Sequence, residues 1–306
     1  MINYLIGIDG GGTKTEIVAI TYDGTIFEKI ITGPGSAAVV SENEVWNYIE
    51  NGIQEIVQKI DKEKYHLTTI QMGLSAYSIL EEKETIIKKL KKHYDVNVYI
   101  DSDTVIALHS ILKNEYKQGV VVVAGTGVAV YGENQTSSVL IGGYGHIIRE
   151  LGSSYAAVHH FALKIIDNIE DGIKLSPLEE KFLNLLKENK IKDLKHLFYF
   201  HSKTTIASFV TFLKNESLKG DLEAKGILKQ EGIYLGIQTI KAIKKLNLTT
   251  DFVIGLRGGF VQKSSEDIKL GFNEVMKQNN ITALVIDDDA DPVMGCYYLL
   301  KNQKRI

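Results

Sequence analysis

Asp9-Gly10-Gly11-Gly12-Thr13-Lys14-Thr15 gathers more chemistry into seven positions than any other stretch of the sequence. Three consecutive glycines free the backbone to bring amide groups close to an anion, and Thr13, Lys14 and Thr15 add donors. Asp9, on the same turn, is placed to hold a magnesium ion through water. The expectation is a phosphate-binding hairpin, with Gly11, Gly12, Thr13 and Lys14 as phosphate contacts. A Walker A loop is excluded, because it needs glycine immediately before the lysine and Thr13 stands there. A dinucleotide fingerprint is excluded as well: it opens a helix, whereas Glu16-Ile17-Val18 continues as strand. A plain hairpin is the competing reading, but a two-residue turn would suffice for one.

Further candidates follow along the chain. Gly125-Thr126-Gly127 is a second glycine turn between apolar segments and pairs naturally with the first as a phosphate contact. Asp101-Ser102-Asp103 stands between a strand and a helix. A carboxylate held there can take the proton of a hydroxyl as it attacks a γ-phosphate, although the same motif also reads as an ordinary helix N-cap. Gly142-Gly143-Tyr144-Gly145-His146 and then Arg149-Glu150-Leu151-Gly152-Ser153-Ser154 set glycines around an aromatic and a carboxylate, which suits a polar ligand pocket. Arg257-Gly258-Gly259-Phe260 follows a strand and would admit a flat adenine ring, or form only a strand-to-helix turn. His159-His160 has no partner at metal spacing and reads as structural. Asp287-Asp288-Asp289 reads as a solvated acidic loop near a helix start rather than a metal site.

These residues need elements to hold them. Tyr4–Ile8, Glu16–Tyr22 and Thr25–Thr32 read as three strands, the last two joined at Asp23-Gly24. Ser41 with Glu44 makes a capping box, and Val45, Ile49, Ile53, Ile56 and Ile60 form one helical stripe. A strand at Ile70–Leu74, a helix from about Glu81 to His93, a strand at Val96–Ile100 and a helix from Asp103 toward Lys113 follow. At Tyr116 the strand, glycine turn, strand pattern restarts, a faint internal duplication. Gly152 to about Leu246 is mostly helical, with a marked start at Ser176-Pro177-Leu178-Glu179. Strands at Phe252–Ile254 and Ala283–Ile286 and a last helix near Pro292 complete an α/β pattern. The expected domains are 1–116 and 117–306, the second carrying a helical insertion around 152–246.

The 306 residues suffice for two cores. A net charge of -3 implies no broad basic field, so nucleic acid is not the expected partner, and Lys88, Lys89, Lys91 and Lys92 read as a solvated helix face. The single cysteine, Cys296, excludes an internal disulfide and a cysteine zinc site, and its apolar surroundings predict a buried thiol. No apolar run is long enough to span a bilayer and no signal peptide is evident, so no membrane partner and a cytoplasmic location are expected.

Taken in order, Ile8 to Thr15, Ser102-Asp103, Gly125-Thr126-Gly127, Gly142 to His146, Gly258-Gly259 and Pro292-Val293-Met294-Gly295 resemble the BadF/BadG/BcrA/BcrD-type ATPase family. Within it they look like the N-acetylglucosamine kinase branch, including the clostridial N-acetylmuramic acid/N-acetylglucosamine kinases. The resemblance implies the two-domain actin-like ATPase fold shared by sugar kinases, heat-shock ATPases and actin, with an interdomain nucleotide cleft. It implies ATP and Mg2+, with Asp103 as the catalytic aspartate deprotonating a sugar 6-hydroxyl. It also implies Ser36, Ser75, Ser102, Asp103, Gly143, Tyr144 and Glu150 on the substrate side, and Gly258 and Gly259 on the adenine side. The implied product is a 6-phosphorylated N-acetylated amino sugar recovered from cell walls, and a homodimer is compatible with the helical surface.

The sequence departs from the family in two places. Arg149-Glu150-Leu151-Gly152-Ser153 stands where the family usually has Gly-Asp-Glu-Gly-Ser, so one carboxylate is a methylene longer and the second is lost. Ser36-Ala37-Ala38 stands where Gly-Pro-x-Asn would place an asparagine, and smaller side chains there would leave room for the lactyl ether of N-acetylmuramic acid. The rival reading is a nucleotide-dependent activator or regulatory ATPase without sugar chemistry. Activators built on a shared iron–sulfur cluster need two cysteines per subunit, and this chain has one.

Overall fold

The computed structural model describes residues 1–186, 191–262, 266–287 and 291–306. The chain divides into two compact units, Met1–Lys117 with Asp289–Ile306, and Gln118–Asp288.

The first unit is built on the strand order β3-β2-β1-β4-β5. Its strands are β1 (Ile2–Gly10), β2 (Thr15–Thr21), β3 (Ile26–Thr32), β4 (Tyr65–Leu74) and β5 (Asn97–Ser102). β1 pairs antiparallel with β2 and parallel with β4. As a central strand it is covered on both faces, which is why its sequence is a nearly continuous apolar run. Tyr4, Ile6 and Ile8 join the stripe of α1 (Glu42–Lys59) and the apolar face of α2 (Lys83–Tyr94) in one core. Leu5, on the opposite face, meets Val293, Tyr297 and Leu300. The capping box of α1 is formed as expected, with Ser41 and Glu44 exchanging bonds.

The terminal helix, α11 (Met294–Asn302), therefore completes the first unit, not the second domain in which the sequence reading placed it. It packs on α3 (Asp103–Leu112). A Cβ at Gly295 would lie 1.7 Å from the Ile106 carbonyl oxygen, so only glycine permits this crossing. Cys296 is buried beside Ile106 and Leu299. Burial pushes its thiol pKa up, consistent with an inert structural role.

The second unit repeats the first. Its strands are β6 (Gly119–Ala124), β7 (Val128–Glu133), β8 (Ser138–Gly142), β9 (Val253–Arg257) and β10 (Leu284–Ile286), in the order β10-β9-β6-β7-β8. β6 pairs antiparallel with β7 and parallel with β9, as β1 does with β2 and β4. The duplication glimpsed in two short segments is thus a duplication of whole-sheet topology. The edge strand β8 was not expected; it has no strong apolar alternation, since Ser138 and Leu140 are exposed.

The expected helical stretch holds α4 (Ser154–Glu170), α5 (Pro177–Leu185), α6 (Ile191–Phe200), α7 (Lys203–Ser208), α8 (Val210–Leu218) and α9 (Leu222–Lys245). With α10 (Glu266–Gln278) they enclose one large core around Phe161, Phe182, Phe260 and Phe272. Among the described residues no helix is long and apolar enough to cross a membrane.

Candidate functional site

In the first unit three loops meet at Gly10. The Gly11 amide donates to the Lys14 carbonyl at 2.9 Å and closes the β1–β2 turn. The Gly35 amide donates to Gly11 O at 2.9 Å, and the Ser75 amide to Gly10 O at 2.8 Å. A Cβ on Gly35 would lie 2.5 Å from the Gly10 Cα, so the approach demands glycine. Gly11 and Gly12 are different. A Cβ there would meet nothing closer than 3.5 Å, so packing does not require glycine at either position. Bare backbone that packing does not demand is what a close-approaching anion needs. Thr13 and Lys14 are exposed at the tip, and Lys14 pairs with Glu16 at 3.2 Å.

The Ser36–Ser75 bridge ties the two candidate substrate loops together. Ser75 in turn lies close enough to Asp103 to favour the ionised form of its carboxyl. Asp103 opens α3, and Ser102 caps that helix by accepting from the Val105 amide at 3.4 Å. The N-cap reading of the motif therefore holds for Ser102, and Asp103 is the first residue of the helix that it caps. Burial raises the pKa of Asp103, against the opposing effect of the Thr104 amide and Ser75. Ser36 is buried and Ala37 packs against the core, so the small residues of this loop are partly structural.

Asp9 stands next to the end of β1, opposite Glu16. Its pKa is pushed up to about 7 by desolvation and by the charges of Asp103, Glu16 and Asp291, with Lys14 acting the other way. Glu16 is held by Lys29 at 2.6 Å. Four carboxylates thus face a shortage of positive charge that a divalent cation would relieve. No three His, Cys, Asp or Glu groups among the described residues converge as direct metal ligands. Asp291 and Lys29 were not anticipated. Asp291 is far from Asp9 in sequence, and it reaches this edge only because the C-terminal helix returns to the first sheet.

In the second unit Gly125-Thr126-Gly127 joins β6 to β7, closed by the Gly125 amide on Gly127 O at 2.9 Å. The amino end of α4 backs this turn: the Ser154 amide donates to Gly125 O at 2.9 Å, and Ser153 caps the helix. Glu150 fixes the other side. Its Oε1 accepts from the Val128 amide at 2.7 Å and its Oε2 from Lys203 Nζ at 2.6 Å. Both oxygens of the candidate substrate carboxylate are therefore engaged in shaping the turn. A Cβ on Gly127 would lie 2.6 Å from Lys203 Nζ, whereas one on Gly125 would meet nothing within 4 Å.

Gly258 packs on the end of the same strand, where its Cβ would lie 2.4 Å from Ala124 O, and Gly259 is open. Lys214 Nζ donates to Gly259 O at 3.3 Å and sits over the Phe260 ring. Burial holds its pKa below the ordinary lysine value. Lys203 and Lys214 were missed because lysines in a helical stretch read as solvated surface; no spacing signal marks them. The Gly143 amide donates to Val128 O at 3.1 Å, which brings the Gly142–His146 loop to the turn. Tyr144 is exposed, and His146 packs edge-on against Tyr155.

His160 bonds the buried Glu231 at 2.6 Å, in keeping with its structural reading. Asp287 pairs with Lys269, while Asp288 and Asp289 lie outside the described residues.

Residues 6–295 match the BadF/BadG/BcrA/BcrD ATPase family. The N-acetylmuramic acid/N-acetylglucosamine kinase of Clostridium acetobutylicum is 26% identical over 306 residues, covering 99% of each chain. The N-acetyl-D-glucosamine kinase of Dictyostelium discoideum is 25% identical over 98% of each chain. Among solved structures, a candidate N-acetylglucosamine kinase from Chromobacterium violaceum gives a TM-score of 0.73 at 18% identity, covering 98% of this chain and 99% of that one. Likeness at that identity shows the fold, which is the actin-like ATPase fold of sugar kinases.

Proposed function

We infer the chemistry of this chain from the family to which it belongs, the BadF/BadG/BcrA/BcrD ATPase family: it is an ATP-dependent kinase that phosphorylates the 6-hydroxyl of an N-acetylated amino sugar. Two full-length relatives named as kinases of N-acetylglucosamine, one of them also of N-acetylmuramic acid, support the substrate class. The observation that carries the reading is Asp103, a carboxylate set at the start of α3 and desolvated beside Ser75.

Asp103 accepts the proton of the sugar hydroxyl as that oxygen forms its bond to the γ-phosphorus, and the bond to the bridging oxygen breaks to leave ADP. Desolvation makes Asp103 a stronger base than a free carboxylate, while the Thr104 amide and Ser75 act in the opposite sense and favour its ionised form. Ser36 and Ser75 orient the sugar beside it. Gly11, Gly12, Thr13 and Lys14 in the first unit, and Gly125, Thr126 and Gly127 in the second, hold phosphate oxygens. Lys203 supplies fixed positive charge at the second turn, and Gly258 and Gly259 leave backbone bare for adenine. Asp9 would hold magnesium, which would supply positive charge against the phosphates. The Ser36-Ala37-Ala38 loop favours a sugar with a lactyl ether, which suits recovery of cell-wall amino sugars in the cytoplasm.

A coupled ADP-release assay with ATP and magnesium tests this. Release is expected with N-acetylmuramic acid or N-acetylglucosamine, not with glucose or without sugar, and is abolished in Asp103→Asn. Slow release indifferent to every sugar would overturn the reading in favour of an ATPase switch.

A further inference from the structure

A pocket of about 380 Å³ opens in the second unit where β8 meets α9. That volume lies in the range of small-ligand sites. Leu140, Ile141 and Leu151 contribute apolar lining, and Tyr144, whose ring is exposed, borders it. Arg149 from the loop and Lys241, Lys244 and Lys245 from α9 complete the wall. No carboxylate lines it, and none of these four cations forms an ion pair among the described residues.

A solvated helix face would explain part of this. Lys244 and Lys245 sit in the last turn of α9, where positive charge is favourable anyway. It does not explain Arg149, which comes from a separate loop, or the apolar lining. Nor does it explain Gln238. That side chain is 7% exposed, and its Nε2 donates to Leu151 O at 2.9 Å and Tyr234 O at 3.2 Å. Gln238 lines the pocket, and its Oε1 accepts nothing among the described residues. An amide oxygen with a vacant lone pair beside a cationic concavity can accept from a donor such as a hydroxyl.

We propose that this pocket binds a small phosphate monoester whose ring or apolar part rests on Leu140, Leu151 and Tyr144. The dianionic head is neutralised by Arg149 and the α9 lysines, and a hydroxyl of the ligand donates to Gln238 Oε1. The proposal does not rest on the kinase reading. Val128 and Leu151 line the pocket and flank Gly127 and Glu150, so an occupant presses on the same backbone that Glu150 holds.

The test is calorimetric titration of the full chain with phenyl phosphate, under a saturating non-hydrolysable ATP analogue that fills any nucleotide site. One site per chain is expected, at least tenfold tighter than for phenol. Lys241→Glu with Lys244→Glu should weaken it at least tenfold, and Arg149→Gln, from a different element, several-fold. Lys88→Glu with Lys92→Glu makes the same change in net charge elsewhere and should leave it unaltered. Binding that survives both pocket variants, falls equally in the control, or is absent at millimolar phenyl phosphate would overturn the proposal.

Discussion

Glu150 Oε1 accepts the Val128 amide at 2.7 Å, which fastens a carboxylate to the backbone one residue after the Gly125-Thr126-Gly127 turn. The family motif usually has the shorter aspartate here, and the extra methylene lets one carboxylate reach both this amide and Lys203. Glu150→Asp should therefore lose one of the two bonds, and Glu150→Gln should keep the amide bond but set an NH2 against the lysine ammonium. Removing a hydrogen bond to a charged group costs about 1.5–3 kcal/mol. Steady-state kinetics should show kcat/KM for ATP falling about 10- to 100-fold in either variant. Unchanged kinetics would mean the turn holds its shape without Glu150.

The two glycines of that turn answer to different constraints. Gly127→Ala would drive a Cβ to 2.6 Å from Lys203 Nζ, so the flexible lysine must move away, whereas Gly125→Ala meets nothing. Gly125→Ala should leave Tm within about 1 °C, because a Cβ there meets nothing, and should weaken ATP binding if the turn holds phosphate as proposed. Gly127→Ala should weaken it too, but the loss should largely vanish in a Lys203→Ala background. Binding of a fluorescent ATP analogue to the four proteins of that cycle reads the coupling directly.

Much of this was legible in the sequence. β1 to β5 were anticipated because apolar runs broken by glycine mark strands strongly, and Ser41 with Glu44 announced α1. The glycine turns and Asp103 stood out because their residue types are costly unless used. What stayed hidden was set by tertiary proximity. Lys203 and Lys214 are two lysines among many, and only folding brings Lys203 to Gly127 and Lys214 to Gly259. The return of α11 to the first sheet was also hidden. Its apolar face fits any sheet, and contacts such as Gly295 on Ile106 and the Tyr297 hydroxyl on Tyr22 O fix which. β8 escaped because an edge strand with one exposed face need not alternate strictly.

Asp9 gives the first unit a pH signature. Its folded pKa, about 7, lies above the ordinary value of 3.8, so the folded state binds the proton more tightly than the unfolded chain. The contribution is fully present below pH 4 and is lost as pH rises through about 7. A span of about three pKa units corresponds to an effect on the order of 2–4 kcal/mol. Asp9→Asn should flatten the fall in Tm between pH 5 and 8, and magnesium with ATP should partly reverse that fall in the wild type by supplying the missing positive charge. A Tm profile identical in Asp9→Asn would show that the carboxylate is ionised throughout.

Glu231 holds the second unit together at the start of α4. Its Oε2 accepts from the Gly152 amide at 2.7 Å while its Oε1 meets His160 Nδ1 at 2.6 Å, and the carboxylate is 1% exposed. The bond to Glu231 raises the His160 pKa above its ordinary value of 6.5. A raised histidine stabilises the fold fully below pH 6.5 and loses that contribution as pH climbs through the raised value. Removing one partner of a buried pair costs about 3–5 kcal/mol. Glu231→Ala should lose that much, leaving both the Gly152 amide and the imidazolium without an acceptor. Glu231→Gln keeps an acceptor for Gly152 and should lose less. The discriminating measurement is Tm against pH for Glu231→Gln and His160→Gln. Both should abolish the decline above pH 6.5 that this pair contributes, and His160→Gln should retain the Gly152 bond and hence more stability. If Glu231→Gln kept the full wild-type slope, the titrating group would be another, and the His160 bond would contribute geometry alone.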